Sequence, residues 1–262
     1  MYFESLWKEL AALPEVEAAA LGGSRSGPEH DERSDYDLYI YCAGVPEEKA
    51  RRQILEKYCR HIEAGNSFWE LEDDCTLKDG VDIDILYRNL DEFSRNISAV
   101  VEGHTAYNGY TTCMWHNLLH SRILCDKTGK LARLQSRYSV PYPEELRDSI
   151  VQRNLRLLTG NLPSYDAQIK KAAARGDLVS VNHRTAAFLE SYFDIIFAWN
   201  RLTHPGEKRM VQYAKERAKA LPAGFEENLN ELFQTLFTDP ERAVRTLDRM
   251  TAELQKVLKA EK

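Results

Sequence analysis

The hydrophobic pattern of this chain changes at the segment Pro141-Tyr142-Pro143. Before this segment, short apolar runs bounded by glycine alternate with stretches of helical spacing, which predicts strands and helices packed in layers. After it, only helical spacing remains, which predicts a bundle. We therefore expect an α+β (α/β-type) domain over residues 1–140, with a small mixed sheet flanked by helices, and an all-α helical bundle over 141–262.

Local patterns predict the elements of the first domain. Its strands are expected at residues 16–21, 36–42, 68–75 and 81–87, with a shorter extended segment at 122–126. Its helices are expected at residues 2–12, 46–61, 90–103 and 114–121. The polar residues 27–34 are expected to form a loop between the first two strands.

The second domain is expected to contain helices alone. They are predicted at residues 144–160, 163–175, 178–201, 207–220, 224–237 and 240–259. Glycine and proline separate most of these segments, and a group of apolar residues between Phe188 and Trp199 is expected to form the centre of the bundle core.

Charge and cysteine content exclude several classes of protein. A formal net charge of −6 argues against a chain whose main task is to coat nucleic acid, which requires a basic surface. The five cysteines form no C-x-x-C pair, so we expect free thiols in a reducing cytoplasm and neither a zinc site nor a disulfide framework. Because no apolar run approaches about 18 residues, no membrane span is expected.

The first motif with a predicted chemical role is Gly22-Gly23-Ser24, directly after the first strand. Glycine has no side chain, so a phosphate can approach the backbone closely there. Ser24 is expected to open a helix, where backbone N–H groups and its hydroxyl can hold terminal phosphates. The segment therefore predicts a phosphate cradle.

Paired carboxylates follow on two predicted strands. Asp35 and Asp37 stand two apart at the start of one strand, so their side chains share a face, and Asp82 and Asp84 do the same on a later strand. Hard cations such as Mg²⁺ bind oxygen ligands and bridge to substrate phosphates. An acidic hairpin loop without a metal is the plain structural alternative, but it would leave four like charges near one another.

These motifs resemble the DNA polymerase β-like nucleotidyltransferase superfamily. The resemblance lies in G-G-S, a loop of about ten residues, D-x-D on a strand and an aspartate on a later strand. The matching residues are Gly22, Gly23, Ser24, Asp35, Asp37 and Asp84, with Asp82 as the alternative to Asp84. The chain looks most like the bacterial branch that includes antibiotic nucleotidyltransferases of the aminoglycoside and lincosamide type, in which a helical domain follows the catalytic one. Residues 188–209 resemble C-terminal helices of such relatives less specifically.

The resemblance implies a reaction in which a hydroxyl attacks the α-phosphate of a nucleoside triphosphate and pyrophosphate leaves. It implies two Mg²⁺ ions held by Asp35, Asp37 and Asp84, with Asp82 as rival to the last. Asp84 completes the second metal site or acts as general base. ATP is expected as the donor from the family alone.

Further side chains are candidates for supporting roles, each set against a structural or solvent-exposed role. Arg25, Arg88, Lys208 and Arg209 are candidates for binding the triphosphate or pyrophosphate. The other candidates for general base are Glu70, Glu72, Glu190 and Asp194. Trp69 is a candidate for stacking on a base or an acceptor ring.

Three functions remain open from the sequence. The first is transfer to a hydroxyl of a small molecule, for which an acidic cleft suits a cationic acceptor such as an antibiotic. The second is a nucleic-acid-directed transferase, which the absence of a basic stripe disfavours. The third is a protein-directed, inactive or antitoxin-like relative; the long helical domain disfavours the minimal antitoxin-like form and leaves transfer to a protein open. A homodimer that completes the cleft is compatible with each.

Overall fold

The computed structural model describes residues 2–26 and 34–260. Most of the segment predicted as a loop, residues 27–33, therefore lies outside the described residues. The chain divides into two compact units. The first comprises Met1–Ala99 and Trp115–Val140, and the second comprises Val100–Met114 and Pro141–Lys262.

The first unit contains a six-stranded sheet and helices on its flanks. The strands are β1 (Val16–Leu21), β2 (Tyr36–Cys42), β3 (Cys59–Asn66), β4 (Leu71–Leu77), β5 (Asp82–Asn89) and β6 (Arg122–Asp126). The helices are α1 (Tyr2–Ala12), α2 (Glu48–Tyr58), α3 (Leu90–Val101), α4 (Cys113–His120) and α5 (Lys130–Tyr138), of which α3 and α4 extend across the division between the units.

The strands lie in the order β3-β4-β5-β2-β1-β6. The pair β2–β5 is parallel, whereas the other four pairs are antiparallel. This arrangement confirms the predicted α+β class with a mixed sheet. It also makes β2 and β5, the strands that carry the predicted carboxylates, direct neighbours near the middle of the sheet.

Alternation along β2 and β5 separates two faces of the sheet. Leu38, Ile40, Ile83 and Ile85 point into the core that α1 and α2 cover, and all four are fully buried. Side chains two apart share a face, so the residues between them point to the opposite side. The predicted carboxylates of β2 and β5 therefore lie on the face away from this core.

Two predictions for the first unit were wrong. The helix expected over 46–61 ends at Tyr58, and the chain continues as β3. β3 is an edge strand with exposed polar residues such as Arg60, His61 and Glu63, so it lacks the apolar alternation by which strands are recognised. The strand expected from residue 68 begins only at Leu71.

Helix α5 was not predicted. Its apolar residues Leu131, Leu134 and Tyr138 are buried, and the indole N–H of Trp115 donates to the carbonyl of Tyr138 at 3.0 Å. The helix has nine residues, many of them polar, so most of its stability comes from this packing and little from local propensity.

The second unit is helical, as predicted. Its helices are α6 (Glu144–Leu158), α7 (Tyr165–Ala173), α8 (Leu178–Trp199), α9 (Met210–Arg217), α10 (Phe225–Thr235) and α11 (Pro240–Ala260). The core is built around α8, where every residue from Ser191 to Ala198 is buried. Asp177 caps this helix by accepting a hydrogen bond from the N–H of Ser180 at 3.1 Å.

None of the helices in the described part of the chain is long and apolar enough to cross a membrane. The five cysteines are free thiols, and three of them, Cys42, Cys59 and Cys75, are buried.

Candidate active site

The glycine turn rests on the aspartate of β2. The N–H of Gly22 donates to the carbonyl of Asp37 at 2.8 Å. Gly23 has φ of +58°, and a Cβ added to it would overlap the carboxylate of Asp37. Gly23 is therefore required, since this φ favours glycine and since the carboxylate occupies the space of a side chain. The glycine turn and Asp37 of β2 are therefore in direct contact.

A single 3₁₀ turn, Ser24–Ser26, follows the glycines. The hydroxyl of Ser26 donates to the carbonyl of Gly23 at 2.7 Å, whereas Ser24 is exposed. A helical turn thus begins at Ser24 as expected, and it is of the 3₁₀ type over the three residues described. Exposed backbone and hydroxyl groups of the turn are what the segment offers to a phosphate.

Arg25 contacts the residues at the start of β2. Its guanidinium is 4.2 Å from the centroid of the Tyr36 ring, and its Nε donates to the carbonyl of Ser34. These contacts tie the end of the turn to the start of β2. The role of Arg25 in nucleotide binding remains a prediction.

Three carboxylates form a row across three adjacent strands. Asp37 of β2 is the register partner of Asp84 of β5, and Asp84 is the register partner of Asp74 of β4. Side chains at paired positions share a face, so the three carboxylates project to the same side. Asp35 lies two residues before Asp37, just ahead of β2, and is exposed.

Asp82 differs from Asp84 in its surroundings. Asp82 is exposed, pairs in register with Thr76 and accepts a hydrogen bond from the Thr76 hydroxyl at 2.7 Å. Asp84 is partly buried and stands between Asp37 and Asp74. Of the two rivals, Asp84 is therefore the one beside Asp37.

The negative charges in and beside this row of carboxylates repel one another. Burial, followed by the negative charges of Asp37, Asp74, Asp35 and Glu72, raises the pKa of Asp84 to about 6. A cation bound between these oxygens would offset the repulsion.

The donor set suits a hard cation. No group of three or more His, Cys, Asp or Glu is already arranged to hold a metal within residues 2–26 and 34–260. Mg²⁺ is usually held by one or two carboxylates together with substrate phosphates and water, so it does not require such a cluster. Asp37 and Asp84 offer two carboxylates beside the glycine turn, and neither histidine nor cysteine stands in their row.

The sequence did not single out Asp74. It accepts a hydrogen bond from the side-chain amide of Asn66 at 3.0 Å. Period-two alternation along β4 would have placed Glu72 and Asp74 on one face, but only the register with β5 brings Asp74 to Asp84. Burial and the charge of Asp74 also raise the pKa of Glu72.

Glu70 and Arg88 are ion-paired with each other. Arg88 is buried, and its Nη2 lies 2.6 Å from an oxygen of Glu70. Trp69, beside Glu70, is 92% exposed, and its role in stacking remains a prediction.

The remaining candidates belong to the second unit. Asp194 lies in the bundle interior and accepts hydrogen bonds from the backbone N–H of Thr111 at 3.1 Å and from the Asn154 amide at 3.1 Å. Burial raises the pKa of Asp194 to about 7 and also raises that of Glu190. Lys208 and Arg209 are exposed residues ahead of α9. Their predicted functional roles remain predictions.

Comparison with known proteins gives a partial family match and several structural likenesses. A domain of unknown function, DUF4037, matches residues 111–210. No curated protein sequence matches the chain.

Solved structures of other proteins also resemble the chain. A nucleotidyltransferase-like protein from Exiguobacterium sibiricum 255-15 has 12% identity and a TM-score of 0.44, over 99% of this chain and 74% of that one. An aminoglycoside 6-adenyltransferase from Bacillus subtilis has 11% identity and a TM-score of 0.30, over 97% and 89%. A Thermotoga maritima CCA-adding enzyme complexed with tRNA has 10% identity and a TM-score of 0.25, over 98% and 79%.

At these identities and TM-scores the likenesses specify neither a substrate nor an acceptor.

Proposed function

We propose that the chain is a Mg²⁺-dependent nucleotidyltransferase that moves a nucleoside monophosphate, with ATP as donor, to a hydroxyl group and releases pyrophosphate. The observation that carries the proposal is the contact of the glycine turn with Asp37, which in turn stands beside Asp84. A surface open to phosphate thus adjoins two carboxylates on one face of the sheet.

In the proposed reaction, the acceptor oxygen forms a bond to the α-phosphorus as the bond from that phosphorus to pyrophosphate breaks. The hydroxyl proton passes to a general base, a role that Asp84 can take only where it does not itself hold the metal. The backbone at Gly22 and Gly23 admits the phosphates closely.

Asp35, Asp37 and Asp84 are the proposed ligands of two Mg²⁺ ions. When bound, the metal would offset the charge of the triphosphate and lower the pKa of the acceptor hydroxyl.

The proposed acceptor is a small molecule that carries positive charge as well as a hydroxyl. Glu72 and Asp74 lie on the same face as the proposed metal ligands and are not needed to hold the metal. Together with a net charge of −6, they favour approach of a cation over approach of nucleic acid. An antibiotic of the aminoglycoside or lincosamide type is one acceptor with this chemistry.

Calorimetric titration with ATP, GTP, CTP and UTP in the presence of Mg²⁺ tests the proposal. We expect the wild-type protein to bind one triphosphate in a Mg²⁺-dependent manner, and Asp37→Asn and Asp84→Asn to lose that binding because each removes a ligand. Asp82→Asn is the matched variant on the same strand and should retain it. Absence of triphosphate binding by the wild-type protein, or binding unaffected by both Asp37→Asn and Asp84→Asn, would contradict the proposal.

A further inference from the structure

A buried tyrosine, Tyr39, packs against the glycine turn. Tyr39 follows Asp37 by two residues on β2, projects to the same face and is 5% exposed. A Cβ added to Gly22 would overlap the ring and hydroxyl of Tyr39. The backbone of Gly22 therefore rests directly on the edge of this phenol ring.

A polar network holds the Tyr39 ring in place. The side-chain amide of Asn117 donates to the Tyr39 hydroxyl at 2.6 Å. The guanidinium of Arg88 lies over the ring, 4.4 Å from its centroid, and its Nη1 donates to the Asn117 oxygen at 3.1 Å. The Nε of Arg88 donates to both oxygens of Glu70, at 3.2 Å and 3.0 Å, and Nη2 donates to one of them at 2.6 Å.

This network is more elaborate than packing requires. Arg88 is only 8% exposed, and burial of a cation costs free energy. The ion pair with Glu70 can compensate for this cost but adds little net stability. Supporting hydrogen bonds of this kind are typical of places where one side chain must be held in a single position. Burial also raises the pKa of Tyr39 to about 12, so the phenol stays neutral.

We propose that Tyr39, held by Asn117 and Arg88, is a positioning residue. It fixes the position of the Gly22-Gly23 turn relative to β2 and thereby sets the affinity for the nucleoside triphosphate. The inference rests on the proposed function, because it takes the turn to be the phosphate-binding element. Glycines have no side chains that could hold the turn by packing, so the position of the turn depends on its contact with the Tyr39 ring. The carboxylates project from strands and need no such support.

Two tyrosines on neighbouring strands provide a matched test. Tyr39→Phe and Tyr87→Phe each remove one hydroxyl from a buried ring, but Tyr87 lies on the opposite face and donates to Asp73 at 3.0 Å. Each variant should lose stability through one missing hydrogen bond. Only Tyr39→Phe should weaken binding of the Mg²⁺–triphosphate, raising its Kd and KM about tenfold while kcat stays nearly unchanged.

Asn117→Leu provides a second variant, because it removes the hydrogen bond from the other side and leaves the phenol in place. It should raise the Kd for the triphosphate as Tyr39→Phe does. Triphosphate affinity equal to wild type in both variants, or an equal loss in Tyr87→Phe, would overturn the positioning role and leave the proposed function standing. A wild-type protein that binds no triphosphate would overturn both.

Discussion

At the scale of the residue, the candidate site depends on positions where a side chain is excluded. Gly23 has a left-handed backbone, and the carboxylate of Asp37 fills the space beside it. A substitution there combines two effects, since backbone strain costs stability while displacement of Asp37 costs function. The two effects can be separated with a glycine that has similar backbone strain and open surroundings.

We expect Gly23→Ala to abolish Mg²⁺-dependent triphosphate binding, because the new methyl group must displace the Asp37 carboxylate. The strain alone should cost about 1 kcal/mol of unfolding free energy. Gly176→Ala is the control, since Gly176 has φ of +66° and nothing within 4 Å of an added Cβ. It should lose similar stability and bind triphosphate normally, as measured by urea denaturation and calorimetry. Normal binding by Gly23→Ala would contradict the proposed position of the phosphates.

Asp194 is a second residue whose environment decides its behaviour. It is 1% exposed, and the described residues place hydrogen-bond donors around it but no cation. Burial raises its pKa to about 7. The folded protein therefore binds a proton that the unfolded chain releases near pH 4. Stability is highest below that pH and falls as the pH rises towards about 7.

We expect Asp194→Asn to remove this fall, which amounts to about 4 kcal/mol at most. The measurement is the unfolding free energy from urea denaturation at several pH values between 5 and 8. Asp148→Asn, at an exposed carboxylate of α6, is the control and should keep the wild-type slope. A slope unchanged in Asp194→Asn would show that Asp194 is already ionised in the folded protein at low pH.

At the scale of the element, β4 carries one carboxylate towards the candidate site and another into the core. Asp74 faces the candidate site, whereas Asp73 points into the core side and is fully buried. There Asp73 binds the guanidinium of Arg51 from α2 and accepts hydrogen bonds from the Tyr87 hydroxyl at 3.0 Å and the Gly65 N–H at 2.9 Å. This pair joins α2 to the sheet and thereby fixes the strand from which Asp74 projects.

We expect Asp73→Ala to destabilise the protein by roughly 3–5 kcal/mol, because it leaves the charge of Arg51 buried without a partner. The double variant Asp73→Leu/Arg51→Met removes both charges and should recover most of that loss. Urea denaturation of wild type and the two variants measures the difference. A small loss in Asp73→Ala would mean that Arg51 reaches water when its partner is removed.

At the scale of the whole molecule, the second unit includes a segment that precedes part of the first. Residues Val100–Met114 belong to it together with Pro141–Lys262. Thr111 donates two hydrogen bonds to Asp194, and the Thr112 hydroxyl accepts one from the N–H of His204 at 2.8 Å. The proposed domains, 1–140 and 141–262, would separate this segment from its partners.

We expect an isolated fragment of residues 141–262 to be less stable than the same region of the full chain. Addition of a peptide covering residues 100–114 should raise its melting temperature, because Thr111 again satisfies Asp194. The same peptide with Thr111→Val is the control and should stabilise the fragment less. Thermal unfolding followed by circular dichroism measures this, and equal effects of the two peptides would exclude the role assigned to Thr111.

The sequence by itself determined the fold class, most helices and strands, and the turn at Gly22-Gly23. These follow from local properties, namely hydrophobic period and the conformational freedom of glycine. Edge strand β3 and helix α5 escaped prediction because their stability comes from neighbours and not from pattern.

Only the tertiary structure decided which acidic residues meet. Strand register placed Asp84 beside Asp37 and brought Asp74 to the same row, while Asp82 pairs with Thr76. Register depends on pairing between strands that are far apart in the chain, and a shift of one residue would turn every side chain to the other face.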